Sequence, residues 1–137
     1  MLIPVNKVTD NLYRFTIDLN LTPEGFENNL EHSNWRRLLL TGNSYAELGC
    51  PTVDDHIDPR IALMRLRQIY PERTCGHISV SGNDKDRMYC DLKPHGPHAH
   101  ILKYLDSIRK LFVSPRLIFN EDSEIVNIIT FDVVEVN

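Results

Sequence analysis

The chain has little cysteine, and its three residues, Cys50, Cys75 and Cys90, are an odd number without a CxxC pair. That argues against a disulfide-stapled scaffold and a zinc ribbon, and it predicts free thiols in a reducing compartment. No apolar run approaches the ~20 residues that a membrane-spanning helix needs. The opening stretch, MLIPVNKVTDNLYRF, lacks a charged segment followed by an apolar one, so it does not read as a signal peptide. The phosphate-cradling patterns GxxxxGK(S/T) and GxGxxG are missing, as is the nucleophile turn GxSxG. No cofactor is expected, and the expected location is the cytoplasm.

An excess of positive charge is missing too. Fifteen Lys and Arg stand against 19 Asp and Glu, a net charge of −4 with a pI near 5.8. A general binder of nucleic-acid backbone carries a basic face, so no direct nucleic-acid partner is expected.

What is present is an ordinary globular composition. The 137 residues are 42% hydrophobic and 25% charged, enough to bury one continuous core. No repeat, low-complexity tract or long linker divides the chain, so residues 1–137 read as a single domain.

In NLYRFTIDLN, residues 11–20, Tyr13, Phe15, Ile17 and Leu19 alternate with polar positions and predict a half-buried strand. LTPEGFENNLEH predicts a helix with Thr22 as cap and Pro23 at its first position, and SNWRRLLL a second one capped by Ser33. Residues 42–58 read as a long loop. DPRIALMRLRQIYPE predicts a helix from the Asp58 cap to Pro71, with Ile61, Met64 or Leu63, and Ile69 toward the core. CGHISVS and RMYCDL predict a hairpin around GNDKD. A helix is expected from about 97 to 112, with Ile101, Leu105, Ile108 and Phe112 as its apolar stripe. RLIFNEDSEIVNIITFDVVEV closes the chain as a hairpin around NEDSE. The expected class is α+β: an antiparallel sheet with helices packed mainly on one face, in the approximate order β-α-α-β-β-α-β-β.

Chemistry-bearing residues concentrate in CDLKPHGPHAHILKYL, residues 90–105. If a helix starts at Pro97, His98 and His100 diverge by about 160° around its axis and cannot close on one ion. They then simply decorate a helix start. The alternative is a small hydrolase, such as a phosphodiesterase, using His77, His95 and His98 beside Asp91, since a neutral imidazole suits acid–base work. His77 in GHISVS matches half of the two-histidine phosphoesterase pattern, and the second half is missing. The spacing fits no standard zinc pattern, so no metal is expected. VDDHIDP, residues 53–59, gathers carboxylates without EF-hand spacing. Arg36, Arg37, Arg60, Arg65 and Arg67 read as solvated helix faces with carboxylate neighbours.

Acidic residues recur in loops and near the end, at Asp54, Asp55, Asp84, Asp86, Glu121, Asp122, Glu124, Asp132 and Glu135. Such a surface complements a basic protein. The leading expectation is therefore an acidic protein-binding module of the immunity or inhibitor kind. It would neutralise a partner, for instance a nuclease toxin, by covering its basic surface. Asp54, Asp55, Glu121, Asp122 and Glu124 are its expected contacts. A third expectation is a structural or regulatory subunit that pairs through the edge of its long last strand.

Overall fold

A computed structural model describes residues 2–18, 44–49, 58–84, 86–122 and 125–135 (126 and 127 by backbone alone). Eight strands and two α-helices occur there: β1 (Ile3–Pro4), β2 (Asn6–Thr9), β3 (Leu12–Asp18), β4 (Ser44–Glu47), α1 (Pro59–Arg67), β5 (Thr74–Asn83), β6 (Arg87–Pro94), α2 (Ile101–Ser107), β7 (Leu111–Phe119) and β8 (Ile125–Glu135). The class is α+β, as expected, and strands dominate. The helices expected within 22–41 lie outside the described residues.

The expected single sheet is instead two antiparallel sheets, in the orders β1-β7-β8 and β2-β3-β6-β5-β4. They close on each other at two seams. At one seam residues 3–9 serve both sheets: β1 pairs with β7, the Val5 N–H donates to the Leu111 carbonyl, and β2 then pairs with β3. At the other, Leu48 bridges Val133 in parallel, and the Gly49 N–H donates to the Val133 carbonyl at 2.7 Å. Strand β4 therefore lies inside the stretch expected to be a loop.

The alternation in β3 has the predicted effect: Tyr13, Phe15 and Ile17 are buried. Phe15 meets Phe131 from the other sheet with ring centroids 5.2 Å apart. Ile78, Leu92, Leu102, Leu105, Val113 and Val133 complete the core between the sheets.

Both helices depart from expectation. In α1 no residue is buried, and Ile61, Leu63 and Met64 face outward rather than into the core. Asp58 does cap it, accepting from the Arg60 N–H at 2.9 Å. Helix α2 starts at Ile101, after a turn over 97–100, and ends at Ser107. Arg109, at φ 56°, then reverses the chain into β7. Ile108 is thereby 38% exposed, and Phe112 belongs to a strand.

Candidate functional site

The topology sorts the polar residues to opposite ends. Strand β4 runs antiparallel to β5 and parallel to β8, with Ser44 level with Ile78 and within 3.3 Å of Thr130. The β5–β6 turn and the β7–β8 turn consequently fall at the same end. That end presents Asp84, Asp86, Glu121 and Asp122, all exposed, with Arg87 among them. Phe119, at the foot of the β7–β8 turn, is 55% exposed. Asp84 is engaged within its own turn: its carboxylate accepts from the backbone N–H groups of Asp86 and Arg87 and from the Tyr89 hydroxyl. Those bonds hold its carboxyl below the usual range. Of the expected contacts, Glu121 and Asp122 are exposed, the Asp122 N–H donating to the Asn120 side-chain oxygen at 2.9 Å, while Asp54, Asp55 and Glu124 lie outside the described residues.

The four histidines among the described residues belong to the other end and divide into two pairs. His77, half-buried in β5, and His95, just past β6, flank Tyr45 of β4, each ring 5.2 Å from the phenol ring. His98 instead lies beside His100, with centroids 6.4 Å apart. The expected divergence of that pair does not arise, because residues 97–100 form a turn rather than the first turn of a helix. Among the described residues no group of three or more His, Cys, Asp or Glu side chains is placed to hold a metal ion. Of the three histidines in the hydrolase alternative, His77 and His95 share the ring cluster around Tyr45, and His98 pairs with His100.

Sequence reasoning missed the densest polar cluster. On β8, Phe131 and Val133 enter the core, so Thr130 and Asp132 point to the opposite face, and these are buried as well. On β7, Leu111 and Val113 face the core, while Arg116, the register partner of Thr130, falls on the opposite face by simple alternation and is buried there too. Arg116 thus reaches Asp132 at 2.7 and 2.9 Å and Glu47 at 2.8 Å, and donates to the carbonyls of Leu66, in the last turn of α1, and Gln68, just past it. Glu47 also receives Arg65 at 2.8 Å, the Tyr70 N–H at 3.2 Å, and Arg73 at 3.5 Å. The Arg65 guanidinium in turn stacks on Tyr70, 3.7 Å from the ring centroid.

Asp132, expected on the surface, is fully buried here. Burial pushes its carboxyl above the usual value, and Arg116 offsets only part of that. Burial also pushes Glu47 upward, but its hydrogen bonds from Arg65 and Arg116 outweigh the effect and hold it low. Arg65, expected on a solvated face, anchors α1 to this cluster. Every charge has a partner, so the cluster is a clamp on the segment from α1 to β5 rather than a reactive centre. The visible signal was one arginine in VSPRLIF and one aspartate in TFDVV, each inside an apolar strand.

Neither described thiol suits nucleophilic work. Cys75 and Cys90 are free and buried, and burial raises each to about 12. No helix among the described residues is long and apolar enough to cross a membrane. Comparison of the chain with protein-family models, with curated proteins and with solved structures gave no match.

Proposed function

We propose that this chain is an acidic protein-binding module of the immunity or inhibitor kind, acting in the cytoplasm on a basic partner such as a nuclease toxin domain. One observation carries the reading. Two hairpin turns distant in sequence fall at the same end, one presenting Asp84 and Asp86 and the other Glu121 and Asp122, with Phe119 exposed at the foot of the second. Carboxylates steer a basic partner and set its orientation. An exposed aromatic ring next to them supplies the anchor that such interfaces use for most of their affinity.

The test is association kinetics against a panel of basic nuclease domains. A cognate domain is expected to form a 1:1 complex and lose nuclease activity. Glu121→Lys combined with Asp122→Lys should slow association by about tenfold or more at low salt, with a smaller effect at high salt. Phe119→Ala should act mainly by faster dissociation. An association rate with the cognate domain that ignores both salt and the lysine substitutions would overturn the electrostatic reading.

A further inference from the structure

The row of side chains Tyr45, His77 and Lys93 crosses the outer face of three neighbouring strands. Tyr45 on β4 is the register partner of His77 on β5, and His77 is the partner of Lys93 on β6. His95, two residues beyond Lys93, folds back so that its ring comes within 6.5 Å of His77. Tyr45 and His95 line a cleft of about 330 Å³ together with Ile69, Pro71, Thr74 and Gly96, and His77 and Lys93 follow on the same row of the sheet face.

The walls of this cleft are held in advance. On one side, the Glu47 carboxylate and the Arg116 guanidinium fix Tyr70 and Gln68, which flank Ile69. On the other, the His95 and His98 N–H groups donate to the carbonyls of Cys75 and Thr74, at 3.1 Å each. Gly96 makes that close approach possible. It sits at φ +83°, and a Cβ there would lie 2.6 Å from the Thr74 carbonyl oxygen. A preformed, mostly apolar cleft with a few polar groups at its mouth is the usual form of a small-ligand site, and this volume lies at the lower end of the range.

Charge and shape select the ligand class. The interior offers aliphatic and ring surfaces to a flat molecule. The His95 imidazole lines the cleft, and the His77 imidazole and Lys93 ammonium continue from it across the same sheet face. On the same strand as Lys93, the Asp91 carboxylate is taken by Arg14 at 2.9 Å. No ion pair ties Lys93 among the described residues. We propose that this cleft binds a small planar aromatic ring bearing an anionic group, with the ring against Tyr45 and His95 and the anion toward Lys93 and His77. The site is distinct from the acidic end invoked for partner binding and does not depend on that reading.

The test is titration of the full chain, followed by nuclear magnetic resonance, with four probes: indole-3-acetate, adenosine 5′-monophosphate, indole and acetate. At least one of the two ring-bearing anions should bind saturably, with a dissociation constant on the order of 0.1 mM and shifts at Tyr45 and His95. Whichever is tighter tells whether a carboxylate or a phosphate is the preferred anion. Indole and acetate alone should bind about tenfold more weakly or not at all. Lys93→Gln, at an exposed position that leaves folding intact, should weaken the anion about tenfold and leave indole unchanged. Tyr45→Leu should weaken both. Binding of neither anion above the indole and acetate controls, or anion binding indifferent to Lys93→Gln, would overturn the site.

Discussion

Glu47 gathers more of the buried charge than any other described residue, receiving three guanidinium groups and a backbone N–H while fully buried. Removing one member of a buried pair leaves the other charged and unpaired, at a cost of about 3–5 kcal/mol. Glu47→Gln should destabilise the fold by that amount at neutral pH. Its folded carboxyl lies below its ordinary value of 4.5, so the stabilisation is present above that value and is lost as pH falls through the lower folded one. Asp132 has the opposite sign. Its carboxyl is raised above 3.8, so protonation on acidification favours the folded state. Asp132→Asn should therefore cost less than Glu47→Gln at pH 7. Urea denaturation of both variants at neutral and acid pH checks the ranking, and a larger cost for Asp132→Asn would reverse the assignment. Neither residue's place was legible in the sequence. Asp132 resembles the surface carboxylates around it, and alternation puts Arg116 on a strand face without revealing that Glu47 and the segment after α1 cover that face.

The same limit operates at the scale of elements. Strands β3, β5 and β6 were legible because apolar and polar residues alternate there and turn-forming residues bound them. Helix α2 was legible in position but not in length. The spacing of Ile101, Leu105, Ile108 and Phe112 satisfies a helical period, while Leu111 and Val113 satisfy a strand period over the same stretch. Arg109 at φ 56° settles the competition by ending the helix before β7. Leu105 is 1% exposed and Ile108 38%. Leu105→Ala should accordingly cost about 2–5 kcal/mol, whereas Ile108→Ala should stay near 1 kcal/mol or below. In α1 the contrast is sharper, because Arg65 rather than an apolar face secures the helix. Ile61→Ala and Met64→Ala should each change stability by no more than about 0.5 kcal/mol. Chemical denaturation of the four variants tests these values together. A large loss at Ile61 would mean that α1 buries an apolar face after all.

At the scale of the whole molecule, the two seams decide whether the sheets stay closed. Residues 3–9 secure one by continuing from sheet to sheet along a single backbone. The other depends on fewer links between β4 and β8. Beside the Gly49–Val133 hydrogen bond, the Thr130 hydroxyl donates to the Tyr45 carbonyl at 2.8 Å and lies 3.3 Å from the Ser44 hydroxyl. This seam bears on the expectation that β8 recruits another chain through its edge, because β4 of the same chain already occupies part of that edge. A strand edge left unpaired is a template for association. Thr130→Val keeps the shape of the side chain but removes the donor to the part-buried Tyr45 carbonyl, at a cost of about 1 kcal/mol. Hydrogen exchange should then quicken at Gly49 before it quickens in β3 and β6. Light scattering should show self-association that rises with protein concentration in the variant and not in the parent chain. Equal exchange at Gly49 in both proteins would show that the hydroxyl does not hold the seam. Self-association of the parent itself would mean that β8 pairs between chains despite β4.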